Sequence, residues 1–129
     1  MPTLPMLKPP YGELVAIDLN KGEIAWRVPI GDNAALHTHP ALQGLTLPER
    51  FGAPGPYGVI VTKGGLIFGG ADSSFYAFDK ATGKEVWRAE LPRRPYSTPM
   101  TYRAKSGKQF VVLATGAGNN ASLTAWSIK

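Results

Sequence analysis

Residues 14–27 recur at 75–88, and no other feature limits the fold of this chain so tightly. The run Leu14-Val15-Ala16-Ile17-Asp18 through Trp26-Arg27 is matched by Phe75-Tyr76-Ala77-Phe78-Asp79 through Trp87-Arg88, so both copies read A-x-D-x-x-x-G-x-x-x-W-R. A partial third copy begins at Ser122-Leu123-Thr124-Ala125-Trp126-Ser127, where Ala125 aligns with Ala77. Each copy predicts a β-hairpin: a short apolar strand, an Asp-led turn closed by Gly at positive φ, and a second strand carrying Trp. Ahead of the second copy, Tyr57 to Thr62 and Leu66 to Gly70 flank the tight turn Lys63-Gly64-Gly65. That predicts a complete four-stranded unit over 57–91. The same order returns in Ser97 to Arg103, the turn Ala104-Lys105-Ser106-Gly107, Lys108 to Thr115 and Leu123 to Ile128, an incomplete last unit over 97–129. Residues 14–31 form an outer hairpin alone.

Composition agrees with an all-β chain. Among 129 residues, 15 are Gly and 12 Pro, which suits short strands joined by turns and argues against long helices. Four-stranded antiparallel units of roughly 40–45 residues with a Trp near the outer edge describe blades of a β-propeller. Closure takes about four to eight blades. The chain carries the equivalent of about two and a half, so it is expected to form a single partial propeller domain that cannot close a ring alone. The alternative is an open β-sandwich with two similar hairpins. Within the motif, Trp26 and Trp87 are expected to stack flat against a neighbouring blade and donate their N–H to a carbonyl, with Ala16 and Ala77 leaving room. Asp18 and Asp79 are expected to cap their own turns.

Several chemistries are excluded at once. Without cysteine there is no thiolate nucleophile, Cys-ligated zinc, iron–sulfur cluster or disulfide. The net charge is +5, but the basic residues are scattered, with Arg93-Arg94 the densest pair. No basic helix or aromatic-interleaved stripe is present, so no nucleic-acid partner is expected. No segment approaches the roughly 20 consecutive apolar residues of a membrane-spanning helix, and residues 1–10 lack the apolar region of a secretory signal.

The A-x-D-x-x-x-G-x-x-x-W element resembles the tryptophan-docking motif of the pyrroloquinoline quinone (PQQ) dehydrogenases. Pro9-Pro10-Tyr11-Gly12, Val28-Pro29-Ile30-Gly31, Ser97-Thr98-Pro99-Met100-Thr101-Tyr102 and Gly107-Lys108-Gln109-Phe110-Val111-Val112 extend the likeness to the C-terminal blades of the glucose-dehydrogenase-like branch. The resemblance implies two and a half four-stranded antiparallel blades of an eight-bladed quinoprotein propeller. It also implies an enzyme that oxidises an aldose, polyol or alcohol hydroxyl with PQQ and calcium, passes electrons to ubiquinone or a cytochrome, and faces the periplasm. In that family the general base, the calcium ligands and the cation over the quinone come from earlier blades. This chain is then expected to hold no catalytic or metal-binding residue, to bind neither cofactor tightly and to be inactive alone, with Met1 an internal methionine or the start of a truncated or split gene. Its partners would be the remaining blades, or other copies through exposed sheet edges. The competing reading is a non-catalytic PQQ-like repeat module acting in protein assembly or binding.

Loops that enter each innermost strand, or link the second and third strands, form the ligand face of a propeller. They are residues 32–56, 71–74, 93–96 and 116–121. The first holds His37 and His39, spaced as alternate residues of an extended strand, as metal ligands sometimes are; no third ligand stands nearby, and either imidazole can instead line a sugar pocket or shuttle a proton. By resemblance, alcohol-oxidising members carry W-G-G where this chain has Pro56-Tyr57-Gly58, and G-x-G-G-W where it has Gly116-Ala117-Gly118-Asn119-Asn120. Tyr57, Gly58, Gly118, Asn119 and Asn120 are therefore the expected cofactor contacts, and His37 and His39 the expected substrate contacts. Both Trp residues of the family pattern are absent here, and so is the His that glucose-oxidising relatives carry in the later loop. Asn119 and Asn120 suit cofactor carboxylates or sugar hydroxyls, but equally an ordinary turn.

Overall fold

The computed structural model describes residues 3–128; Met1, Pro2 and Lys129, and with them the two ends of the expected units, lie outside the described residues. Nine strands form three antiparallel sheets among these residues. The chain divides into two compact units, 1–55 and 56–129.

Unit 1–55 holds the first copy of the repeat. Strands β1 (Glu13–Asp18) and β2 (Glu23–Pro29) pair so that Ala16 faces Trp26, and the register shifts between Ala16 and Ile17. Asp18 Oδ1 accepts the N–H groups of Asn20 and Lys21 at 3.0 and 3.3 Å, and the Gly22 N–H reaches the Asp18 carbonyl at 2.8 Å. After the hairpin, Ile30, Leu36, Phe51 and Ala53 are buried. The long connection is not irregular throughout: it contains a short helix α1 (Ala34–His37) and a 3₁₀ turn (Pro40–Leu42).

Unit 56–129 holds the other two sheets. In the first, β3 (Val59–Val61), β4 (Leu66–Ala71), β5 (Ser74–Asp79) and β6 (Glu85–Glu90) lie in chain order. The second copy of the repeat reproduces the local geometry of the first. Ala77 faces Trp87, and the register again shifts immediately afterwards, between Ala77 and Phe78. Each shift leaves one residue before the Trp unpaired, Ala25 and Val86, which is a β-bulge bending the outer strand. Asp79 Oδ1 accepts from Ala81 N, Thr82 N and Thr82 Oγ1 at 2.8–3.0 Å. The Thr82 hydroxyl above all, then its N–H, holds the Asp79 carboxyl below the usual carboxylate range. Gly83 closes the turn at φ 71°, a conformation costing an L-residue roughly 1–2 kcal/mol.

The third sheet runs β7 (Met100–Arg103), β8 (Gln109–Thr115), β9 (Ser122–Ile128). Strand alternation decides what packs between the sheets. Phe68, Phe75 and Ala77 on one side meet Val111 and Leu113 on the other, with Ile60, Leu66 and Trp126 partly buried against them. Phe75, with no exposed surface, touches Trp126 at 4.9 Å between ring centroids. The central strands β4 and β5 are buried on both faces, since Ile67, Tyr76 and Phe78 are buried as well. Such strands read as near-continuous apolar runs, which is what Leu66-Ile67-Phe68 and Phe75-Tyr76-Ala77-Phe78 are.

Trp87 departs from expectation. It does not lie flat on the next sheet but meets Phe75 and Trp126 edge-on, at 86° and 77°, and is 38% exposed. The physical reason is its neighbour: Trp126 already covers Phe75, so the second indole finds room only at the ring edges, a favourable quadrupole arrangement. A cleft of about 320 Å³ remains beside them, apolar apart from Ser127 and lined by Leu66, Phe75, Trp87 and Trp126 among others. None of the four predicted ligand-face segments lines it.

Candidate functional site

Four short segments meet at one end of unit 56–129, because antiparallel pairing brings the start of β3, the β4–β5 turn, the β6–β7 link and the β8–β9 link to the same side. Along the backbone, the ties are specific. The Leu91 N–H donates to the Ser73 carbonyl at 2.8 Å, the Gly116 N–H to the Arg94 carbonyl at 2.9 Å, and Pro95 bridges to Thr115. Buried Pro95 packs over Gly70, whose missing Cβ would stand 2.7 Å from it.

Tyr57 sits half-buried in the entry to β3, and its hydroxyl oxygen accepts the Asp72 N–H at 3.3 Å. Asp72, in the β4–β5 turn, is the one non-glycine residue among those described with positive φ, 49°. Its Oδ2 accepts the Tyr76 hydroxyl at 3.1 Å and its Oδ1 accepts the Ser73 N–H. Asp is one of the few side chains that tolerate this region, because it bonds locally to the backbone. The sequence reading selected this turn but assigned Asp72 no role; its pairing with Tyr57 and Tyr76 depends on residues far apart in the chain.

Gly58 has a packing reason for being glycine: a Cβ there would stand 2.0 Å from Thr98 Oγ1 and 2.8 Å from its Cα. Gly118, Asn119 and Asn120 form a 3₁₀ turn rather than an open loop, with the Asn120 and Ala121 N–H groups bonded to the Ala117 and Gly118 carbonyls. Both Asn side chains are exposed. The turn is anchored at its base by Thr115, fully buried, whose hydroxyl lies 3.1 Å from that of Ser122. Gly116 is the tightest point: a Cβ would meet the Asn120 carbonyl oxygen at 2.4 Å and Arg93 Cδ at 2.9 Å.

The histidines belong to unit 1–55 and do not share the strand that their spacing suggests. His37 ends helix α1, while His39 caps the 3₁₀ turn, its Nδ1 accepting the Ala41 N–H at 3.1 Å. Alternate residues face one way only in extended chain, and Pro40 diverts this chain into a turn. His37 Nε2 lies 2.9 Å from Asp32 Oδ2, and its ring meets Phe51 edge-on at 4.7 Å. Asp32 Oδ1 accepts the Phe51 N–H at 2.9 Å. Burial pushes the Asp32 carboxyl up, but the Phe51 and Asn33 N–H groups and the His37 ring together outweigh it, so the carboxyl lies below its usual range. Among the described residues no three His, Asp or Glu side chains come together as a metal set.

Residues 1–111 match the glucose/ethanol/alcohol dehydrogenase β-propeller domain family, whose short name is PQQ. The chain is 43% identical over 116 residues to a probable quinate dehydrogenase (quinone) of Xanthomonas campestris pv. juglandis, and 38% identical over 117 residues to quinoprotein glucose dehydrogenase A of Acinetobacter calcoaceticus. Each alignment covers 88% of this chain and 14% of the relative, so the chain spans about one seventh of the curated relatives it matches. Among solved structures, a quinohemoprotein alcohol dehydrogenase, ADHIIG from Pseudomonas putida HK5, superposes with a TM-score of 0.57 at 25% identity, covering 82% of this chain and 12% of that one. With its all-β antiparallel sheets, the repeated hairpin and these matches, the chain belongs to the PQQ-dependent dehydrogenase β-propeller family and is a partial propeller.

Proposed function

We propose that the chain is the C-terminal propeller segment of a PQQ-dependent dehydrogenase, and that the end of unit 56–129 carrying Tyr57, Asp72 and the 116–121 turn faces the cofactor. The observation that carries this reading is the convergence of those segments on one end of two sheets packed on a buried core, where backbone hydrogen bonds hold the loops in place for binding. The side chains there, a phenol, two amides and two guanidinium groups, suit a quinone bearing several carboxylates. Bound in the complete enzyme, PQQ supplies the two-electron acceptor for the carbon that carries the substrate hydroxyl.

The residues of this chain would then position rather than transform. Tyr57, its oxygen held by the Asp72 N–H, presents a fixed ring and hydroxyl; Asn119 and Asn120 offer amides from a closed turn; Gly58 keeps the entry to β3 against Thr98. No ligand set suited to calcium comes together among the described residues. The substrate is an alcohol, polyol, aldose or hydroxy acid, in line with the quinate, glycerol and glucose dehydrogenases it resembles. Electrons go on to a quinone or cytochrome, in a periplasm-facing enzyme whose other blades supply the base and the calcium site, so the segment alone is inactive.

Titration of the chain with PQQ, followed residue by residue by NMR, tests the assignment. Shifts are expected at Tyr57, Gly58 and Gly118 to Asn120, and none at His37 or His39. Perturbation confined to other residues, or none at millimolar PQQ, overturns it.

A further inference from the structure

We infer that the chain associates head to tail with a second copy of itself, the open face of sheet β7–β9 in one copy covering the open face of hairpin β1–β2 in the other. Strand pairing identifies the first face. In sheet β3–β6, Phe68 pairs with Ile60 on one side and Ala77 on the other; in sheet β7–β9, Val112 pairs with Met100 and Ala125 in the same places. Phe75 and Leu123 each stand two residues before the alanine, and so on its side of the sheet. Ile60, Phe68, Phe75 and Ala77 are the residues that pack on Val111, Leu113 and Trp126 of the next sheet. Their counterparts stand open: Met100 and Leu123 are 55% and 76% exposed and Ala125 is exposed too, with Val112 buried between them.

Position in the repeat and charge both point to hairpin β1–β2 of a second copy as the occupant. The side chain that lands on Phe75 belongs to the residue after a motif alanine, Trp126 after Ala125. In the first copy of the repeat, the residue after the motif alanine is Ile17, which is 59% exposed. Strand β1 turns Glu13, Val15 and Ile17 outward and keeps Leu14 and Ala16 half-buried, and Ile24, paired with Ile17, is exposed as well. An outward row of apolar residues on a strand is the reverse of a solvated face and marks an interaction surface. The chain thus carries both halves of a contact it already makes once, between its second and third sheets. Charge selects this pairing over two like faces. Residues 97–128 hold Arg103, Lys105 and Lys108 and no Asp or Glu, so two β7–β9 faces repel, whereas hairpin β1–β2 carries Glu13, Asp18 and Glu23 against Lys21 and Arg27. Different patches meet, so the contact is heterologous and each copy keeps one free face of each kind.

Sedimentation equilibrium of the full chain, of two variants and of their mixture tests the contact. The parent is expected to form assemblies that grow with concentration. Ile17→Lys puts a cation on the hairpin face and Leu123→Lys one on the sheet face, and each variant alone is expected to need about tenfold or more higher concentration to associate, as loss of a buried apolar side chain does. Mixed in equal amounts, the two keep one intact face each, so a 1:1 dimer is expected that grows no further. Association of Ile17→Lys alone at parental concentration would show that sheet faces or the β9 edge pair with each other, and the same result for Leu123→Lys would show that hairpin faces do. Either outcome overturns the proposal, as does a mixture that stays monomeric or a parent that is monomeric at millimolar concentration. Both positions are exposed, so an unchanged melting temperature verifies that each variant is folded; Val15→Lys and Met100→Lys repeat the experiment on the same two faces if either variant melts early. Neither face includes an expected cofactor contact, so the PQQ titration is read separately and this inference and the dehydrogenase reading fail independently.

Discussion

At the scale of single residues, exposure and neighbours decide what a side chain contributes. Truncating a buried Trp to Ala costs about 3–5 kcal/mol, but Trp87 keeps 38% of its surface exposed and touches its neighbours edge-on. Trp87→Ala is therefore expected to cost about 2 kcal/mol, read as a shift in urea midpoint; a loss as large as that of Phe75→Ala would show that the indole is buried in solution. Gly58→Ala is the harsher change, because the new methyl meets the Thr98 backbone as well as its side chain. An overpacking cost of about 1–3 kcal/mol is expected, and a neutral effect on the melting temperature would refute the close approach. Asp32 adds a dependence on pH. Its folded carboxyl titrates below the usual range, so its contribution is complete above the ordinary aspartate value of about 3.9 and disappears as pH falls through the lower folded value. Asp32→Asn should flatten the acid limb of stability for unit 1–55, and an unchanged acid limb would count against the Asp32–His37–Phe51 cluster.

At the scale of elements, the repeat is conserved in geometry down to its bulge. Both copies place Ala opposite Trp and slip register at the same point, so the motif encodes a bent outer strand as much as a turn. Gly83→Ala would force an alanine to φ 71°, and a loss of about 1–2 kcal/mol is expected from thermal melts; no loss would mean that the turn rearranges. These hairpins, their Asp-led turns and the strand order of 57–128 were legible in the residues, because each is set by local chemistry and period-two patterning. The histidines were not. Spacing alone suggested a strand, and nothing local announced that Asp32 and Phe51, far apart in the chain, would hold His37 at the end of a helical turn.

For the whole molecule, burial is uneven. Strands β4, β5 and β8 carry the buried core of unit 56–129, while β7 is exposed along its length and β9 pairs on one side only among the described residues. Hydrogen exchange is expected to be slowest at Phe68, Phe75, Val111 and Leu113 and fastest along β7 and β9; uniform protection would contradict this distribution. Large apolar side chains such as Leu19, Met100 and Leu123 stand exposed, and β9 offers an unpaired edge, so mass measured by light scattering should rise with concentration. A monomer at every concentration would show these surfaces to be inert. The amino-acid sequence by itself determined the all-β class, the repeated hairpin, the three sheets and the family, since these follow from local turn chemistry, alternation and a spaced motif. Only the tertiary structure decided that the chain forms two units, that Trp87 packs edge-on, that Asp72 ties Tyr57 to Tyr76, and that Arg93 lies across Gly116. Each of these depends on which distant residues occupy the neighbouring space, and close packing resolves that question only once the strands are assembled.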